Sequence, residues 1–175
     1  MLIVVRLVVD AVKIEFRKMR SSDYDRVAEI YGEGLETGYA TFETQIPDWS
    51  IWDKKHLSFG RIVALSDQEL VAWAALSSVS SREVYAGVAE FSIYVAKDQR
   101  GQGIAGLLLN ELIRESENNQ IWTLQSSVFR NNKASIAMHL KAGFRQIGYR
   151  ERIAKRDGIW YDNLLFERRS ASVGN

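Results

Sequence analysis

Residues 88–112 constrain the fold more than any other stretch of this chain. An alternating apolar strand, a glycine-rich turn and a leucine-rich helix follow one another without a break. In VAEFSIYV the alternation puts Glu90, Ser92 and Tyr94 on one face, and Phe91, Ile93 and Val95 on the other, toward a core. A polar turn, KDQRGQG, comes next. Ile104, Leu107, Leu108 and Leu112 then recur as on a buried helix face. Free amides at a helix start, with the helix dipole, hold phosphate oxygens well. Gly101 and Gly103 allow close backbone approach, and Arg100 adds a full charge. A flexible turn before a helix has the same composition, so this stretch alone leaves both readings open. A Walker loop would need Gly-Lys-Ser/Thr, which is absent. Gly101, Gly103 and Gly106 imitate the spacing of a dinucleotide loop. They follow several strands, however, and the next strand lacks the acidic end that such a loop requires.

The surrounding pattern alternates strand and helix, which predicts an α/β chain. KIEFRKM reads as a half-buried strand, and Ser21-Ser22-Asp23 as helix-capping chemistry ahead of YDRVAEIYGEGL. The stretch holding the single proline predicts a loop and a short helix. RIVAL and ELVAWAAL read as strands joined by a turn at Ser66-Asp67-Gln68. IWTLQSSVF is a strand, a helix begins near residue 133, and two strands complete the chain. Residues 13–167 are read as one domain and 168–175 as a flexible tail. The first dozen residues, MLIVVRLVVDAV, are read either as an added edge strand or as an extension upstream of the true start.

Composition narrows the chemistry. The chain of 175 residues carries 23 basic and 22 acidic side chains, a net charge of +1. That balance offers no footprint for nucleic acid. The chain has no cysteine, which removes disulfides, thiolate catalysis and cysteine-ligated metals. Only His56 and His139 could supply imidazole, so no metal site is expected. No span approaches the ~20 apolar residues needed to cross a bilayer. A cytoplasmic protein without membrane partners is expected.

VAKDQRGQGIAGLLL resembles the acetyl-CoA-binding segment of the GCN5-related N-acetyltransferases, Gln/Arg-x-x-Gly-x-Gly/Ala, met here by Arg100, Gly103 and Ala105. NKASIAMHLKAGF resembles the second cofactor segment of that family. REVYAGVAEFSIYV, TGYATFET and GIWYDNLLF resemble its phosphinothricin acetyltransferase-like subgroup. These segments span roughly residues 13–167 in the family's order. The resemblance implies a mixed, mostly antiparallel sheet of about seven strands flanked by about four helices, with the cofactor in the splay between central strands. It also implies transfer of acetyl from acetyl-CoA to an amine by direct attack, and a homodimer.

Site residues follow from the residues and the resemblance together. Glu90 is the candidate general base, or else a structural glutamate bonded to backbone. The resemblance points to backbone N–H around Tyr94 and Val95 for the oxyanion, and to His139 for the general acid. Asn132, Ser135 and His139 fall at i, i+3 and i+7 and share a helix face. Asn132 either contacts the cofactor, caps the helix, or does both. The expected cofactor contacts are Ile93, Tyr94, Val95, Arg100, Gly101, Gln102, Gly103, Ile104, Ala105, Gly106, Asn132 and Ser135. For the acceptor they are Phe42, Glu43, Arg82, Tyr85, Glu90, Phe91 and Ser92, with Arg82 suited to a carboxylate or phosphinate. The implied acceptor is a small amino-acid-like amine such as phosphinothricin, methionine sulfone or methionine sulfoximine. A protein or peptide amine, and a catalytically silent acyl-CoA-binding module, are the competing readings.

Overall fold

The alternation in KIEFRKM and in the strands after it is realised as a single twisted sheet. A computed structural model describes residues 6–9 and 12–174. The strands are β1 (Arg6–Val9), β2 (Val12–Lys18), β3 (Ile62–Ser66), β4 (Glu69–Ser78), β5 (Val88–Val95), β6 (Thr123–Phe129), β7 (Arg145–Arg156) and β8 (Ile159–Arg169). The helices are α1 (Tyr24–Leu35), α2 (Trp49–Lys55), α3 (Ile104–Asn118) and α4 (Lys133–Lys141). The sheet order is β1-β2-β3-β4-β5-β6-β8-β7. Every neighbouring pair is antiparallel except β5 and β6, which run parallel. The expectation of about seven strands grows to eight because the backbone of Arg6–Val9 adds an edge to β2.

The two faces of the sheet carry separate apolar clusters. One gathers Phe91, Ile93 and Val95 of β5 with Leu108, Leu109 and Leu112 of α3. The other gathers Val27, Ile30 and Tyr31 of α1 with Trp52, Trp73 and Tyr94. The face assignment read from β5 therefore holds, and the period of α3 buries the leucines expected of it. Asp67 and Gln68 both adopt positive φ, 48° and 73°, in the two-residue turn between β3 and β4.

Two expectations need correction. Asp23 does not cap α1 with its side chain. It pairs instead with Arg17 at 2.7 and 2.8 Å and accepts from the Arg20 amide at 2.7 Å. The bond from the Arg20 amide belongs to a capping box on the short 3-10 turn Ser21–Asp23 that leads into α1, so the expected capping chemistry is present one turn earlier. The tail expected from residue 168 starts later, because β8 runs to Arg169. Ser170 then donates its amide to the Trp122 carbonyl at 2.8 Å and its hydroxyl to Glu117 at 2.9 Å. Arg169 holds the Val173 carbonyl at 2.8 Å. Residues 170–174 are thus tied back onto the end of α3 and the start of β6.

A candidate active site between two diverging strands

Parallel pairing of β5 and β6 covers only Val88–Thr123, Ala89–Leu124 and Glu90–Gln125. Beyond Glu90 the strands part, and a cavity of about 710 Å³ opens between them. Its walls come from the loop between α1 and α2, from β5 after Glu90, from the turn before α3, from the end of β6 and from α4. The unpaired edge of β5 faces this opening. The Ala96 amide donates to the Val71 carbonyl at 2.8 Å, which sets the phase of the β4–β5 ladder. Tyr94 then points its N–H at β4, while Ile93 and Val95 turn theirs toward the opening. The amides available to an oxyanion are those of Ile93 and Val95, which corrects the expectation at Tyr94. The Tyr94 side chain packs instead on Trp73 and Tyr31, with ring centroids 4.9 Å away in each case. Burial pushes its phenol well above the usual range, so it stays protonated.

The turn before α3 is built as its glycines require. Gly101 and Gly103 have φ of 78° and 79°, in the left-handed region, and Gly103 is the residue preceding α3. Among the described residues no carbonyl accepts from the amides of residues 100–105. This cluster of free N–H groups opens on the cavity at Gly101, Gly103, Ile104 and Ala105. Gln102 and Gly106 lie outside the cavity wall. Arg100 lines it, but two of its donors are engaged: Nε with the Val95 carbonyl and Nη2 with the Glu33 carbonyl, both at 3.1 Å. Arg100 therefore braces the turn against β5 and α1 while bringing its charge to the cavity. Free amides, a helix start and a fixed cation suit a diphosphate, so this end of the cavity fits the CoA part of acetyl-CoA.

Glu90 opens into the cavity next to Phe91 and Ser92. Among the described residues no hydrogen bond or ion pair closes on its carboxylate, so the reading of a glutamate tied to backbone finds no bond in its support. Partial enclosure by protein pushes its pKa up, and the charges of Lys55 and Arg150 pull it back in part. Phe42 and Glu43 also line the cavity. Phe42 lies 4.3 Å from Phe129 and 6.0 Å from Tyr161, ring to ring, which anchors its loop on β6 and β8. Arg82 and Tyr85 do not line it. They sit on an exposed turn, with the Arg82 guanidinium 5.4 Å from the centre of the Tyr85 ring.

On α4, Asn132 accepts from the Ser135 amide at 3.1 Å and donates to the Tyr39 carbonyl at 3.4 Å. It caps the helix and ties it to the α1–α2 loop. His139 is only 2% exposed, among Phe91, Phe144 and Phe166. Its Nδ1 lies 2.7 Å from the Ser135 carbonyl, an acceptor only, so Nδ1 carries the proton. Burial lowers its pKa and keeps the ring neutral. Nε2 then holds a lone pair and no proton, and it has no partner among the described residues. In this tautomer the orphan Nε2 is an acceptor, so the general-acid role expected of His139 would need the imidazolium, which burial disfavours.

Sequence reading missed Ser126, Ser127, Phe129 and Asn163, all of which line the cavity. Asn163 left no clear trace, because it stands beside Asp162 ahead of the apolar run LLF. Among the described residues no group of three or more His, Asp or Glu could hold a metal. None of their helices is long and apolar enough to cross a membrane.

A sequence profile described as the acetyltransferase (GNAT) family matches residues 24–144. The chain is 32% identical over 158 residues to a phosphinothricin N-acetyltransferase of Alcaligenes faecalis, covering 87% of this chain and 80% of that protein. Among solved structures it is similar to a GNAT superfamily phosphinothricin acetyltransferase from Sinorhizobium meliloti in complex with AcCoA. That match has a TM-score of 0.81 and 26% identity, over 89% of this chain and 88% of the other. It is also similar to a ribosomal-protein-alanine N-acetyltransferase from Brucella melitensis. Here the TM-score is 0.82 and the identity 26%, over 89% and 99% of the two chains. With its splayed strands, its cradle of free amides and this profile match, the chain belongs to the acetyltransferase (GNAT) family and is an acetyl-CoA-dependent N-acetyltransferase.

Proposed function

We propose that this enzyme acetylates the amine of a small amino-acid-like substrate of the phosphinothricin, methionine sulfone or methionine sulfoximine type. The observation that carries the reading is the single cavity that joins the amide cradle to the Glu90 face of β5. Donor and acceptor can share it, so the amine can attack directly with no acyl-enzyme step. The turn from Gly101 to Ala105 and Arg100 hold the diphosphate, while Asn132 and Ser135 flank the arm. Acetyl-CoA supplies an activated acyl carbon, and the remaining work falls to the protein. Glu90 takes the proton of the incoming ammonium, directly or through a water; its raised pKa brings it nearer the working pH. The Ile93 and Val95 amides meet the developing negative charge. With His139 neutral, solvent in the open cavity protonates the thiolate.

The acceptor class is supported by the relatives from Alcaligenes faecalis and Sinorhizobium meliloti. Arg82 no longer supports it from within this chain's own cavity. The cations whose charge reaches Glu90 are Lys55, paired with Glu43 at 3.1 Å, and Arg150. Arg150 also lies outside the cavity wall, but it stands opposite Asn163 across β7–β8, and it is the counter-charge proposed for an acidic group on the acceptor. A protein amine is the second reading, favoured by the likeness to the Brucella melitensis enzyme. We place the enzyme in the cytoplasm with its donor, as a homodimer. Ile147, Tyr149, Ile153, Ile159 and Trp160 of the outermost hairpin are exposed and apolar, which suits a second copy. A CoA-release assay over the three named analogues, common amino acids, polyamines and an alanine-terminated peptide tests the reading. Turnover confined to the peptide contradicts it.

A further inference from the structure

Asn163 is 6% exposed and lines the cavity, yet its side chain is only half used. Nδ2 donates to Ser127 Oγ at 2.8 Å, while Oδ1 is buried and has no partner among the described residues. A buried carbonyl oxygen left unpaired costs stability, so a donor is expected to meet it. Register shows which side it serves. Asn163 stands opposite Phe129 across the β6–β8 ladder, and Glu90 stands beside Gln125 across β5–β6. Gln125 and Phe129 are four residues apart on β6, so Glu90, Phe129 and Asn163 share one face of the sheet. Phe129 meets Phe42 of the acceptor loop on this face. The other orphan, His139 Nε2, lies among Phe91 and Phe166 on the opposite face.

We infer that Asn163 is an acceptor-binding residue, whose Oδ1 takes an N–H of the amine that Glu90 deprotonates. An amine has two N–H groups left after losing one proton. Asn163 Oδ1 accepts one of them, the transferred proton stays on the Glu90 carboxyl, and the nitrogen keeps the lone pair that attacks the acyl carbon. Ionised Glu90 and the Asn163 oxygen only accept, so this corner selects an ammonium nitrogen that donates. The inference rests on the proposed amine transfer but not on which amine is the natural one.

The test compares Asn163→Leu, Asn163→Asp and the wild type. Leucine keeps the branched shape and removes the unpaired oxygen, together with the Nδ2 bond to the exposed Ser127. The expected result is an unchanged or raised melting temperature, with an acceptor KM raised about tenfold and the KM for acetyl-CoA unmoved. Asn163→Asp keeps an acceptor oxygen and returns the acceptor KM to within a few-fold of wild type. Methylammonium serves as a probe independent of the natural substrate: it raises the melting temperature of the wild type and not of Asn163→Leu. A lowered melting temperature with unchanged acceptor KM would assign Asn163 a structural role and overturn the inference. A raised KM for acetyl-CoA alone would move it to the cofactor side, with the same consequence. Absence of a small amino-acid acceptor sinks the proposed substrate class instead, because the Asn163 comparison is then read on whichever amine turns over.

Discussion

His139 and Ser135 are joined one helical turn apart, with Nδ1–H of the imidazole donating to the Ser135 carbonyl at 2.7 Å. That bond leaves the other ring nitrogen unprotonated inside an aromatic cage. His139→Phe is therefore expected to fold, since it replaces a buried orphan nitrogen with carbon. It should keep kcat within about tenfold of wild type, whereas loss of a general acid costs ~10²–10⁴. Steady-state rates on a folded variant check this. A loss beyond a hundredfold would restore the acid role.

His56 is held neutral by burial beside Trp52, with its pKa lowered to about 4. An unfolded chain binds the proton near 6.5, so acid favours unfolding. Stability on this account is full above pH 6.5 and falls as pH drops toward 4. His139 adds to the loss in the same direction. Denaturant titrations across this range are expected to lose on the order of 1–3 kcal/mol for His56. His56→Phe should flatten the slope.

Gly34 of α1 faces the ring of Tyr94. A Cβ there would come within 2.6 Å of Tyr94 Cδ1, so either helix or ring must move. Gly34→Ala is expected to lower stability by about 1–3 kcal/mol, the usual cost of overpacking. It should also disturb the end of β5, where Ile93 and Val95 present their amides. Thermal unfolding and kcat are read together, and a neutral effect on both would contradict the packing.

Arg100 is both a brace and a charge. Arg100→Lys keeps the charge and loses the two bonds to the Val95 and Glu33 carbonyls. Acetyl-CoA affinity by calorimetry should fall in the order wild type, lysine, alanine, with alanine weaker by roughly tenfold or more. Equal affinity for lysine and wild type would reduce the residue to its charge.

The elements that run in chain order were legible in advance. Periodicity marked both faces of β5 and the buried stripe of α3, and the glycines with their left-handed φ were placed where the turn needs them. Local pattern failed where distant strands meet. β8 inserts between β6 and β7, so Asn163 reaches the cavity through a pairing that spacing does not encode. Helical spacing put His139 with Asn132 and Ser135, but it could not reveal that Phe91, Phe144 and Phe166 close around the ring. Arg82 had the right chemistry on a turn that leads away from the cavity.

Glu90 as the base at the splay is the central assignment. The measurement is the pH profile of kcat/KM for the amine, in the wild type and in Glu90→Gln, with acetyl-CoA binding followed by calorimetry. The wild-type rate should fall with acid through a pKa raised from the usual glutamate value, because the deprotonated form is the active one. Glu90→Gln should lose a hundredfold or more and lack that acid limb, with acetyl-CoA affinity intact. A variant that keeps both the rate and the acid limb would contradict the account.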